Sequence, residues 1–184
     1  MPIPRIELED FPPEVSERLA PRVKRLGYLG EFFKCAAHQP EALAAFIDFT
    51  ESGKGSLPPN MVELIALTVS SWTKNGYERN QHERLSVRLG LGRDWVQAVN
   101  ALAPDTQTAL SEEERRLQEL VLCVLESNGH DAPAMFEDHV ARYGAEQAMA
   151  ILMVIGRYAV HGLIVNTLAL KPPVPSIFDD GFDG

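Results

Sequence analysis

Glu63, Asn75, Glu78 and His82 lie in the stretch LPPNMVELIALTVSSWTKNGYERNQH, a polar cluster set into an otherwise apolar, helix-like run. Glu78 and His82 stand four apart, so on a helix they share one face. A carboxylate and an imidazole held that way can address one ligand. Burial raises the carboxyl pKa towards that of imidazole, so one group can deliver a proton while the other takes one. The plainer reading is an exposed polar pair on the face of ERNQHER, with Glu63 a solvated acid early in its helix; the apolar surroundings of Glu63 favour burial. Arg157 and His161, again four apart, form a second set. An Arg can grip a substrate carboxylate through two parallel hydrogen bonds, or it can be a buried cation paired with an acid across a subunit interface.

Other polar residues carry weaker signals. His38 stands three residues after Cys35 without further ligands, His130 follows SNG at a helix start, and His139 is expected on a solvated helix face. None of these has metal-ligand spacing, and no metal site is expected. Cys35 and Cys123 are far apart and in neither a CxxC nor a zinc pattern. They read as two core thiols in a reducing compartment rather than a disulfide framework.

The elements that position these residues are helices. Residues 1–12 are Pro-rich and read as an extended, loose arm, followed by a helix with a kink or break at Pro21 and an end at Gly27. EFFKCAAH is a short apolar helix, and a helix opening at Pro40 places Leu43, Phe46, Ile47 and Thr50 on one stripe. Met61, Leu64, Ile65, Leu67 and Val69 cover most of the circumference of the next helix, which must be buried. Asn75 and Gly76 break the chain before the helix of Glu78 and His82, which Gly90 and Gly92 end. Ser111 and Glu114 have the spacing of a capping box. Asp131 is the expected cap of a further helix, and Ala145 opens the last long one. No segment alternates apolar and polar residues as a strand would, so the fold class is all-α, a bundle of about seven to nine helices.

Length and charge narrow the function. A chain of 184 residues, 45% hydrophobic, suits one domain with a substantial core. With 17 Lys and Arg against 26 Asp and Glu, the net charge of −9 repels a phosphate backbone, so nucleic acid is not an expected partner. The run from Ala148 to Leu170 is long enough to raise the question of a membrane span, but Arg157 and His161 sit at its middle. A central Arg costs at least roughly 3 kcal/mol in a bilayer, so a buried helix and no membrane partner are expected. MPIPRIELEDFPPEV lacks the charged start and apolar region of a secretory signal, and the expected location is cytoplasmic.

The segment from LGYLGEFFKCAAHQPEALAAF through LPPNMVELIALTVSSWTKNGYERNQHERLSVRLGLGRDWVQAV resembles the carboxymuconolactone decarboxylase and alkylhydroperoxidase AhpD-like superfamily. The resemblance covers roughly residues 25 to 168 and is strongest from Pro40 to Leu102. It implies an N-terminal arm and helix over residues 1–27, an AhpD-like helical domain over 28–170 and a Pro-rich tail over 171–184 that packs on a neighbour. In the redox branch a Glu is followed twelve residues later by C-x-x-C-x-x-x-H. Glu63 and His82 match the Glu and the His, whereas Asn75 and Glu78 stand at the two cysteine positions. Neither can attack a peroxide or resolve a sulfenic acid.

The resemblance therefore implies the thiol-free, decarboxylase-like branch, acting without a cofactor on a small-molecule carboxylate. In that reading His82 moves the proton, Glu78 is the acid or orienting group, and Glu63 sets the imidazole tautomer. Asn75 would donate to a substrate oxygen, and Arg157 and His161 would bind substrate. A hydroperoxide reductase and a non-catalytic, ligand-binding oligomer are the alternatives. Two helices apolar around most of their circumference, together with the habit of the superfamily, imply a homo-oligomer, a hexamer first and a trimer next.

Overall fold

The computed structural model describes residues 3–179 and 182. Among the described residues there are eight α-helices, two short 3-10 turns and no strand. The helices are α1 (Pro13–Leu26), α2 (Glu31–Ala36), α3 (Pro40–Gly55), α4 (Pro59–Trp72), α5 (Gly76–Arg88), α6 (Arg93–Asn100), α7 (Glu112–Ser127) and α8 (Pro133–Thr167).

The core forms around α4, in which every residue from Met61 to Ser70 is buried. A helix apolar all round has no face to give to water, and α4 is enclosed by α5, α6, α7 and α8. Leu64, Ile65, Ala66, Leu67 and Val69 are wholly inaccessible; each fully buried Leu, Ile or Val contributes roughly 1.5–3 kcal/mol. The polar members of the run are satisfied locally. Thr68 donates to the Leu64 carbonyl at 2.7 Å and accepts from Gln118 of α7, which also donates to the Val99 carbonyl. A second apolar cluster, built on Phe11, Leu19, Phe32, Phe33 and Leu43, joins α1, α2 and α3 to Tyr77 of α5 and Val165 of α8.

Ser111 and Glu114 form the expected capping box: the Ser111 hydroxyl accepts from the Glu114 amide at 3.2 Å and the Glu114 carboxylate accepts from the Ser111 amide at 2.8 Å. The last long helix does begin after Gly144, whose φ of +79° interrupts α8. By length and composition α8 could cross a membrane, but 56% of its most apolar window is buried inside the protein. Its buried side chains, among them Ile151, Val154, Ile155 and Tyr158, belong to the core.

Several local expectations are corrected. α1 runs through Pro21 without ending; the missing N–H removes one bond, while buried Val15 and Leu19 hold the helix on the core. The segment before α1 is docked rather than loose: the Ile6 amide donates to the Lys34 carbonyl, Arg5 pairs with Glu31, and Phe11 is buried. α8 starts at an Ala132 cap with no side-chain bond, so Asp131 does not cap it. Residues 174–177 of the tail bond to α5 of the same chain. Asn80 and Arg84 of α5 donate to the carbonyls of Val174 and Pro175, and the buried Glu83 carboxylate accepts from the Ser176 hydroxyl and the Ile177 amide.

Candidate functional site

Three helices bring the buried cluster together. α4 contributes Glu63, α5 contributes Glu78 and His82, and α8 contributes Arg157, Tyr158 and His161. The close approach of α8 to the α4–α5 turn depends on Gly162, where an added Cβ would lie 3.3 Å from the Thr73 hydroxyl oxygen. Asn166, one turn on, donates to the Thr73 carbonyl at 2.8 Å and fastens the same junction.

The two candidate pairs are one cluster. His82 Nδ1 is 2.7 Å from Glu63 Oε2, and its Nε2 is 3.0 Å from Glu78 Oε2. The other oxygen of Glu78 lies 2.9 Å from His161 Nε2, and Arg157 reaches Glu78 Oε2 at 3.5 Å. All five side chains are buried. Arg157 therefore pairs with an acid of its own chain, and Glu78 and His82 are not a solvated surface pair.

Burial by itself would raise the Glu78 pKa, but the charges of His161 and Arg157 and the hydrogen bonds from both histidines overturn that, holding the carboxyl well below its usual range. For His82 burial favours the neutral ring, yet the Glu63 carboxylate and the bonds to Glu63 and Glu78 win, and its pKa is raised. Each ring nitrogen thus faces a carboxylate, an arrangement that favours the protonated ring. His161 is pulled the other way: burial lowers its pKa and the Glu78 charge only partly offsets this. Its Nε2–H donates to Glu78, while its Nδ1 lone pair has no partner among the described residues. The result is a chain of hydrogen-bonding groups, Glu63–His82–Glu78, with the His161 imidazole resting on its outer end.

The outer end opens on a cavity of about 80 Å³ whose wall includes Glu78, His82, His161, Arg157, Lys54 and Arg22. One buried water needs roughly 10–15 Å³ of such space, so a small organic molecule is the right scale. Arg157 lies over the Tyr158 ring at 4.3 Å. Its bonds to Glu78 at 3.5 Å and to the Thr50 hydroxyl at 3.3 Å are long, which leaves most of its five donors for a ligand. Arg22 is tied to Glu51 at 2.7 Å. The cavity thus sets one carboxylate among three cations.

Asn75 plays a different part from the one expected. Its side-chain oxygen accepts from the Glu78 amide at 3.2 Å and caps α5. It is almost wholly buried and outside the cavity wall, so it orients the helix that carries Glu78. Asn caps for the same reason it sits at a break: its short amide bonds the free N–H groups of the first turn. His139 is buried, not solvated, with Nδ1 on the Met135 carbonyl at 2.8 Å. Neither thiol is in the cavity wall: Cys35 lines an apolar groove with Phe32 and Phe46, and Cys123 lines a depression beside Leu122. No group of three or more His, Cys, Asp or Glu with metal-binding geometry occurs among the described residues.

Three site residues were not foreseen. Tyr158, 3.2 Å from His82 Nε2, lies on the apolar stripe of α8 with Ile151, Ile155 and Val165, and that spacing was the available signal. Lys54, between two glycines at the end of α3, and Arg22 on α1 carried none, because their place in the wall is set by how α1 and α3 pack.

No protein-family model matches the chain, and no curated protein matches it either. Solved structures do. The chain is similar to an uncharacterized peroxidase-related protein from Ralstonia eutropha JMP134, described as an alkylhydroperoxidase AhpD core, at 18% identity with a TM-score of 0.79, covering 97% of this chain and 92% of that one. A peroxidase-related protein from Silicibacter sp. TM1040 aligns at 18% identity and TM-score 0.76, covering 95% and 91%. The debrominase Bmp8, solved in complex with 2,3,4-tribromopyrrole, aligns at 17% identity and TM-score 0.78, covering 93% and 91%. The fold is AhpD-like, over nearly the whole chain.

Proposed function

We propose that this chain is a cofactor-free acid–base enzyme, a lyase or isomerase acting on a small carboxylated lactone or keto acid. The observation that carries the reading is Glu78, which is at once the wall of a cationic cavity and the outer end of a buried relay through His82 to Glu63. Arg157 takes the substrate carboxylate, with Lys54 and Arg22 adding positive potential. His82 supplies the proton, Glu78 hands it to the substrate, and Glu63 keeps the imidazole oriented and protonated. Loss of carbon dioxide from a carboxylated unsaturated lactone leaves an electron pair delocalised into the ring, and the relay ends where a proton must reach carbon.

A thiol peroxidase fits less well, because Cys35 and Cys123 line other surfaces and burial raises the Cys35 pKa, which disfavours a thiolate. The test is carbon dioxide release from 4-carboxymuconolactone and from related lactones and oxo acids. We expect release by the wild type and by the Cys35→Ala/Cys123→Ala double variant, with no turnover of hydroperoxide. Peroxide turnover that vanishes in the double variant would overturn the reading.

A homo-oligomer, sixfold first and threefold next, is part of the same proposal. Met149, Met153, Val160 and Leu163 of α8 are exposed, an apolar strip of the kind that marks a protein contact. Light scattering should give a mass several times 20.4 kDa; a monomer at micromolar concentration would refute it.

A further inference from the structure

We propose that Lys54 is a nucleophile in this cavity, its amine condensing with the carbonyl of a small oxo acid whose carboxylate lies against Arg157. The inference rests on the acid–base reading above and narrows its substrate to the keto-acid class. Lys54 sits in the last turn of α3 and shares the cavity wall with Arg157, Glu78 and His82. Among the described residues its ammonium group makes no hydrogen bond or ion pair, and it lies over the Tyr158 ring at 5.3 Å. Lys34 shows the contrast: it is paired with Glu7 at 2.8 Å.

A lysine facing a cavity with no carboxylate of its own is placed for a ligand, and its surroundings make it reactive. Burial first, and then the positive charge of Arg157, pull its pKa from 10.5 to about 8. A cation beside a desolvated lysine is one of the recognised ways to free an amine near neutral pH.

The chemistry closes without a further reagent. The Nζ lone pair attacks the carbonyl carbon, the carbonyl π pair moves to oxygen, and a proton passes from nitrogen to that oxygen. Protonated again, the oxygen leaves as water and an iminium remains. Where the carboxylate is β to that carbon, the bond to the carboxylate carbon breaks, its electron pair runs to the iminium nitrogen, and carbon dioxide departs. The Glu78–His82 relay protonates the enamine carbon, and water then hydrolyses the iminium, returning the ketone and the free lysine. Arg157 cannot be the nucleophile, since its guanidinium stays protonated.

The test is reductive trapping on the intact protein. The wild type is incubated at neutral pH with acetoacetate or pyruvate and sodium cyanoborohydride, then digested for peptide mass spectrometry. We expect one reduced adduct on Lys54, with labelling on the order of tenfold or more above the exposed Lys24, Lys74 and Lys171, as the lower pKa implies, and no adduct at position 54 in Lys54→Arg. Labelling of Lys54 no faster than those three with either acid would overturn the proposal, as would undiminished carbon dioxide release from acetoacetate by Lys54→Arg. The two readings fail separately. Glu78→Gln, assayed below its melting temperature, should keep the adduct and lose the release. Release that depends on Glu78 without any adduct would leave acid–base chemistry standing and remove Lys54.

Discussion

Glu78→Gln should lose turnover by a factor of roughly 10² to 10⁴, the usual worth of a positioned proton-transfer group, and should also lower the melting temperature by on the order of 10 °C. The second effect follows from what the carboxylate does at rest. It is the shared acceptor of His161 at 2.9 Å and His82 at 3.0 Å and the counter-charge of Arg157 at 3.5 Å. An amide keeps the shape but removes the charge, leaving a buried guanidinium and a protonated imidazole facing a neutral group. Breaking a buried pair by removing one partner costs about 3–5 kcal/mol. Calorimetry beside the activity assay checks both. A variant that melts within about 2 °C of the wild type would mean that Glu78 does not hold the cluster together.

The stability of the wild type is expected to peak near pH 6.5 and fall on both sides, with His82→Gln removing the alkaline fall. His82 has a folded pKa raised above 6.5, so its stabilisation is fully present below pH 6.5 and is lost as the pH rises through the folded value. His161 has a folded pKa lowered below 6.5, so as the pH drops from 6.5 the unfolded chain takes up a proton that the native protein refuses, and stability declines. Glu78, with its pKa lowered from 4.5, adds to the acid limb: its contribution is present above pH 4.5 and lost as the pH falls through the folded value. His82→Gln flattens only the first of these limbs. It also leaves Glu63 and Glu78 buried with no cation between them, at a cost of about 3 kcal/mol or more. Urea midpoints from pH 4 to 8, below the range in which Lys54 titrates in the opposite sense, measure the curve; an alkaline limb that persists in His82→Gln would show that His82 is not held as the imidazolium.

The helices and the heart of the site were legible because their signals are local. α4 announced itself by apolar residues all round its circumference, and Glu78 and His82 by a spacing of four. Glu63 was found through the AhpD-like pattern, and the 2.7 Å bond to His82 gives that pairing a physical content. What escaped was set by packing. The spacing of Arg157 and His161 showed that they act together, but not that they meet Glu78, because that depends on Gly162 letting α8 close on the α4–α5 turn. The type of Asn75 and its place at a break suit a cap as well as a ligand role, and a cap is what it forms. Pro21 reads locally as a breaker, and burial of Val15 and Leu19 overrides it.

The bonds between Glu83 and Ser176–Ile177 join residues more than ninety positions apart in sequence. The strap follows the end of α8 at Thr167 by fewer than ten residues, so once α8 is packed on α4 only a short segment has to be ordered to make these bonds. α5 is completed from outside the bundle. The same helix carries Glu78 and His82 on the turns next to Asn80 and Glu83, so the face that bears the buried cluster is restrained in part by the docked strap. Detachment of the strap is a small opening event with a free energy well below that of global unfolding. Amide protection in α5 and the alignment of Glu78 with His82 are thus tied to residues 174–177, and both are expected to fade in exchange measurements while α4 remains protected.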